Sequence, residues 1–212
     1  RQKTESGHFG YREGISQPRI AGIHPADPSD PQPLADIGEF ILGADFKNAY
    51  GGSSIGRLPT DLVDNGSFVA VRIMEQFVDR FETSLRTAAR QTGWPEELIA
   101  AKLMGRYRDG RPLVPLLDPA PGTGSSAAAT PAELNRFDYA PTRSHPQVTA
   151  DWDGRLCPIG AHIRRMNPRG SPTMGKPYGR RLIRRGMSYE WARNSETVPT
   201  IERGLFGLFI CS

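Results

Sequence analysis

From Cys157 to Arg169 the chain places one histidine, His162, after two small residues, Gly160 and Ala161, and follows it with Arg164, Arg165 and Arg169. A neutral imidazole is a common metal ligand, and guanidinium groups stay charged and pair with anions in a planar fork. The small residues leave room for a bulky group to approach the backbone. One group that uses both chemistries at short range is a haem, with an iron to ligate and two propionates to neutralise. The same residues also fit a histidine on a basic surface or one hydrogen-bonded in a core. Zinc fits poorly: no second histidine lies nearby, and the other cysteine, Cys211, is far along the chain, so four-ligand spacing is missing.

The positive charge extends further. Between Gly154 and Tyr189 there are nine Lys or Arg residues (Arg155, Arg164, Arg165, Arg169, Lys176, Arg180, Arg181, Arg184 and Arg185) and no Asp or Glu. Such a block predicts an anionic partner or a basic surface. A nucleic-acid-binding module is the reading from a different class. The aromatics are not interleaved with the arginines, so no nucleic acid is expected.

The clearest elements lie upstream of this block. Ser67–Ile73 is a β-prone run after an Asn65-Gly66 turn signal and predicts a strand of a covered sheet. Phe77, Phe81 and Leu85 then recur every fourth residue, with Ala88 and Ala89 behind them, which predicts an amphipathic helix from about Glu75 to Gln91 with the Phe stripe in the core. Pro95 suits a first helical position, and a second helix carrying Leu98, Ile99 and Leu103 should end near Gly105. Gly204–Cys211 is nearly continuous apolar sequence and fits a buried strand.

The rest reads as connection. Gly7–Gly22 is a tight loop, His24–Pro33 a polar extended segment, Gly38–Gly43 a short strand, Tyr50–Ser54 a turn and Pro112–Pro131 a mobile loop. The fold class that follows is α+β, with helices against one face of a mainly antiparallel sheet. Two parts are expected: a loop-rich segment over residues 1–60 and a module over 61–212. At 212 residues with 37% hydrophobic content the chain can bury a core, and its 19 prolines and 23 glycines point to long irregular connections. No apolar run is long enough to span a membrane. No apolar leader or initiator Met is visible, so a processed chain or fragment is expected. With two cysteines and no targeting segment, a reducing compartment such as the cytoplasm is the default.

Three stretches, in this order, resemble the dye-decolourising peroxidase family. Gly10-Tyr11-Arg12-Glu13-Gly14, continuing as Ile15-Ser16-Gln17-Pro18, stands where the family has Gly-Phe-x-Asp-Gly. Gly160–Arg169 matches the family's Gly-Ala-His-Ile-Arg-Arg-x-Asn-Pro-Arg run, and Arg181–Gly186 matches its Arg-x-x-Arg-Arg-Gly segment. Glu202-Arg203-Gly204-Leu205 also resembles the opening of the family's last core strand. The resemblance implies a ferredoxin-like antiparallel sheet with packed helices and a haem b whose iron is held by His162. Gly14, Ile15, Ser16, Asn167, Pro168, Arg169 and Arg184 would line the cofactor. Glu13 would move a proton of bound hydrogen peroxide and Arg184 would stabilise the developing charge, while an aromatic reducing substrate gives up single electrons.

Two departures stand out. Glu13 replaces Asp and Tyr11 replaces Phe. The resemblance further implies that family sequence precedes the loop and follows Ile210, including the carboxylate that hydrogen-bonds the proximal histidine. Association with that preceding module, or with a second copy of the chain, is the expected partnership. Trp94, Trp152 and Trp191 are candidates for electron exit, with burial in a core as the simpler expectation for each. A haem-binding or iron-handling protein with weak peroxidase activity is the alternative within haem chemistry.

Overall fold

The computed structural model describes residues 6–27, 30, 32–43, 63–116, 130–141, 146–171, 178–179, 181–193 and 200–212. The expected turn at Tyr50–Ser54 and most of the expected Pro112–Pro131 loop lie outside them. In chain order the elements are a 3-10 turn Ile37–Glu39, β1 Phe68–Glu75, α1 Val78–Thr92, α2 Glu96–Met104, α3 Pro131–Leu134, α4 His162–Met166, β2 Ile183–Arg193 and β3 Thr200–Cys211. The fold is α+β.

The sheet is antiparallel with strand order β1-β3-β2. The last strand therefore runs down the middle, pairing Phe68 with Cys211 on one side and Ile183 with Ile210 on the other. Its apolar sequence reflects that central place, although among its residues of described burial only Gly204 and Gly207 are buried. The expected cover is missing among the described residues. Every residue of β1 is exposed, with Ile73 at 63%.

α1 and α2 follow the periodicity. α1 begins three residues later than expected, at Val78, and ends at Gly93, whose φ of 72° lets its N–H reach the Ala89 carbonyl. Leu85 is its buried anchor and Phe81 is half-buried, but Phe77 at the helix mouth is 48% exposed. Pro95 caps α2 from just outside, because its missing N–H costs nothing there, and Gly105 ends the helix as expected. Of the expected stripe Ile99 is buried and Leu103 exposed.

Among the described residues the core forms three small clusters. Leu85, Ile99 and Ala100 pack between α1 and α2, with Tyr11 and Phe81 against them. Ile20, Ala35 and Phe40 form a second cluster. The stretch Gly38–Gly43 is not a strand: Asp36 caps a 3-10 turn through its carboxylate, and Phe40 and Leu42 point into the protein. Val114, Phe137, Tyr139, Cys157 and Ala161 make the third cluster, directly under α4. Each fully buried side chain of Leu or Phe size contributes about 1.5–3 kcal/mol.

Trp94, Trp152 and Trp191 are not core residues. They are 50%, 56% and 55% exposed, because each stands on a turn or on an open strand.

Candidate active site

α4 is five residues long and owes its position to what surrounds it. The Asp151 carboxylate accepts from the amides of Leu156 (3.0 Å) and Cys157 (2.9 Å) and from the Arg164 guanidinium (2.9 Å). Arg164 also donates to the carbonyls of Cys157 and Asp151 and lies over the Tyr139 ring, 4.4 Å from its centre. Both partners of this ion pair are almost completely buried. The helix seats against the end of α2 at Gly105, where a Cβ would sit 2.5 Å from Ile163, so only glycine fits. Its φ of 90° demands glycine as well.

His162 opens this helix with its ring accessible to solvent. No hydrogen-bond partner for the imidazole exists among the described residues. Neighbouring chain strips part of the ring's hydration, and the positive charge of Arg184 acts on it as well. Both effects hold its pKa below the usual histidine value. The ring is therefore neutral near pH 7, the form that ligates a metal. Gly160 beside it borders open space, with no atom within 4 Å of where a side chain would begin.

Arg184 comes from the start of β2. Its amide donates to the Gln17 side-chain oxygen (3.2 Å), its carbonyl accepts from the Gln17 side-chain nitrogen, and its guanidinium donates to the Ser16 carbonyl (3.3 Å). Side chains alternate along a strand, so Arg184, Gly186 and Ser188 share one face. Their partners on β3 are Phe209, Gly207 and Leu205, an apolar strip with two glycines side by side at its middle. Ser188 donates to the Glu13 carboxylate at 3.4 Å. Glu13 and Arg184 thus stand over the same face of β2.

The loop carrying Glu13 is anchored on its other side. Tyr11 donates to the Ala100 carbonyl (2.7 Å) and packs near Phe81, and burial pushes its pKa up to about 12. A neighbouring ring pair, Phe9 on Phe81, lies 4.5 Å centre to centre. Gly14 has a φ of 73° and borders open space. Ile15 packs over Gly110, where a Cβ would meet it at 2.8 Å. The longer Glu13 side chain folds back toward Gly7, since a Cβ there would lie 2.7 Å from its carboxylate.

The arginine block divides: Arg155, Arg165 and Arg185 are exposed, whereas three others turn inward. Arg164, Arg169 and Arg181 are buried, and their acceptors come from other parts of the chain. Arg181 pairs with Glu39 at 2.8 Å and donates to the Pro33 carbonyl. Arg169 turns its guanidinium inward onto the carbonyls of Asn135 and Phe137 and the Asn135 side chain, 3.5 Å over the Phe137 ring. What Arg169 can offer a bound group is charge, not a hydrogen bond from that end. Asn167 is tied to Gln32 (2.6 Å) and to the Arg169 amide, and Pro168 is buried beside it.

Sequence reasoning missed Asp151, Gln17, Ser188 and Arg106. Asp151 opens Asp151-Trp152-Asp153-Gly154, a turn signal that could have flagged it. Nothing local marks the others. Arg106 shares the Asn135 side chain with Arg169, and burial followed by the Arg169 charge pushes its pKa down to about 9. Neither Arg106 nor Arg169 forms an ion pair among the described residues. No cluster of three His, Cys, Asp or Glu residues that could hold an ion occurs among the described residues. No described helix is long and apolar enough to cross a membrane.

No protein-family model matches the chain. It is 34% identical over 208 residues to Peroxidase 2 of Mycetinis scorodonius, covering 93% of this chain and 37% of that protein. With the dye-decolorizing peroxidase of Exidia glandulosa it shares 32% identity over 219 residues, 97% of this chain and 40% of the relative. The chain therefore spans about two fifths of the length of these relatives. A fungal DyP-type peroxidase structure from Auricularia auricula-judae superposes on 99% of this chain and 46% of its own, with a TM-score of 0.63 at 26% identity. In sequence along nearly its whole length, and in fold, the chain is similar to members of the dye-decolourising peroxidase family.

Proposed function

We propose that the chain carries the haem-binding and peroxide-reducing residues of a peroxidase that oxidises dyes or phenolic compounds by single electrons. The observation that carries this reading is that Glu13 and Arg184 stand over one face of β2 while His162 opens α4 with its ring accessible. A neutral imidazole without a hydrogen-bond partner among the described residues feels the charge of an arginine held by a different part of the fold. Glu13 stands over the same strand face as that arginine. Haem b, when bound, supplies the iron at which peroxide is reduced and from which a substrate is oxidised.

The protein's own residues then divide the work. His162 would hold the iron through a ring nitrogen. The buried positive charge of Arg106 and Arg169 favours the acidic edge of the cofactor. Glu13 takes the proton from the near oxygen of hydrogen peroxide on its carboxylate and returns it to the leaving oxygen. Arg184 stays charged at any working pH and stabilises negative charge as the O–O bond breaks. The segments on either side of residue 60 thus act as two sides of one site: the loop brings the acid, and the later module brings the ligand and the arginine.

Titration with hemin tests this directly. The unsubstituted protein should develop a Soret band that His162→Ala shifts and weakens. An unchanged band in His162→Ala would remove His162 as the ligand. Arg184→Leu should retain the band but slow peroxide consumption by roughly a hundredfold, the typical loss when one preorganised charge-stabilising donor is removed.

A further inference from the structure

Glu13, Arg184 and His162 divide the proposed chemistry among them, and Gln17 takes no direct part in it. Among the described residues this side chain hydrogen-bonds to Arg184, at both of its backbone polar groups. Among the described residues β2 is an edge strand, with β3 on one side and no strand on the other. The outward N–H and C=O of Arg184 would otherwise face water, and Gln17 takes the place of a neighbouring strand's peptide group. Pro18 follows and biases Gln17 toward an extended backbone, which lets the side chain lie along the strand edge. One residue earlier, the Ser16 carbonyl accepts from the Arg184 guanidinium. Both ends of Arg184 are therefore referred to the same two loop residues, and Glu13 lies three positions before them.

We propose that Gln17 is a positioning residue: its carboxamide clamps the acidic loop to the β2 edge and so fixes the Arg184 guanidinium relative to the Glu13 carboxylate. This role rests on the peroxidase reading above. A displacement of the loop along β2 would move acid and arginine apart together, and a misplacement of about 1 Å can cost up to a hundredfold in rate. The Ser188 contact to Glu13 is long and exposed, so it cannot set this register alone.

Two variants and two readouts test the clamp. In hemin-free protein, Gln17→Leu should speed hydrogen exchange at the Arg184 amide by roughly tenfold, as expected for an edge amide that loses its acceptor. Unchanged exchange would show that the contact is not made. In hemin-loaded protein the same variant should keep its Soret band and the rate of its reducing-substrate step. Its second-order rate with hydrogen peroxide should fall by roughly ten- to a hundredfold. Gln17→Glu keeps the acceptor for the Arg184 amide and should recover part of that rate. A normal peroxide rate in Gln17→Leu overturns the positioning role alone. Loss of both kinetic steps together, with a weakened Soret band, also overturns it, because that is the signature of general unfolding. Absence of any Soret band in the unsubstituted protein instead overturns the peroxidase reading itself.

Discussion

Around α4, four chain segments meet through charged hydrogen bonds that solvent hardly reaches, whereas β2, only a short way along the chain, is bare along most of its length. Arg164 illustrates the first region: it is 1% exposed and paired with Asp151. Met187 and Trp191 illustrate the second, at 50% and 55% exposed. The two regions carry the two halves of the candidate site. His162 sits on a fixed platform, and Arg184 sits on a strand held from one side by β3 and from the other by loop side chains. A metal ligand needs a preset direction, so it benefits from the platform. An arginine that must meet a small reactant is here positioned by hydrogen bonds from an exposed loop. The expected cost of damage differs accordingly.

The largest effect should come from the platform. Asp151→Ala leaves the Arg164 guanidinium buried without its carboxylate and strips acceptors from two backbone amides. Breaking a buried pair from one side costs about 3–5 kcal/mol. Urea unfolding of hemin-free protein should show a loss of that size. A loss below about 1 kcal/mol would place Asp151–Arg164 with ordinary surface pairs and remove the contrast between the two regions.

The same contrast separates what was legible in the sequence from what was not. α1 and α2 were readable because period and end signals agree: Leu85 and Phe81 repeat at helical spacing, and Gly93 and Gly105 stop the helices. His162, Glu13 and Arg184 were singled out because three stretches of the sequence resemble the family's motifs. Within the arginine block the burial of Arg164, Arg169 and Arg181 was not legible, since they find their acceptors at Asp151, at Asn135 and Phe137, and at Glu39, and pairing across such distances leaves no local trace. Gly38–Gly43 was misread for a related reason. An apolar run of this length fits a strand or a buried turn, and the Asp36 cap decided for the turn. Gln17 looks like any loop glutamine until β2 is placed beside it.

A middle-sized effect belongs to the loop. Tyr11 stands where the family has phenylalanine, and its hydroxyl adds a bond to the Ala100 carbonyl. Tyr11→Phe should cost about 0.5–1.5 kcal/mol, the net worth of one such bond, and leave the ring packing near Phe81 intact. Thermal unfolding measures it. A cost above about 3 kcal/mol would make the loop anchor as demanding as the α4 platform and weaken the distinction drawn here.

The smallest effect probes whether the two regions face one another at all. The pKa of His162 lies below the usual value, chiefly from lost hydration and secondarily from the charge of Arg184. In the window between the folded and the ordinary value, the unfolded chain binds more protons than the folded one, so stability falls as pH drops through that window and is level above it. Replacing Arg184 with leucine removes only the secondary cause. The His162 midpoint, followed by NMR in hemin-free protein, should therefore rise but stay below the ordinary histidine value. The acid-side loss of stability should shrink with it. An unmoved midpoint would mean that Arg184 exerts no field on the ring, and the platform and the strand would then not share a site. A midpoint restored fully to the ordinary value would reverse the ranking of the two causes and make the arginine, not the packing of the platform, the reason the imidazole stays neutral.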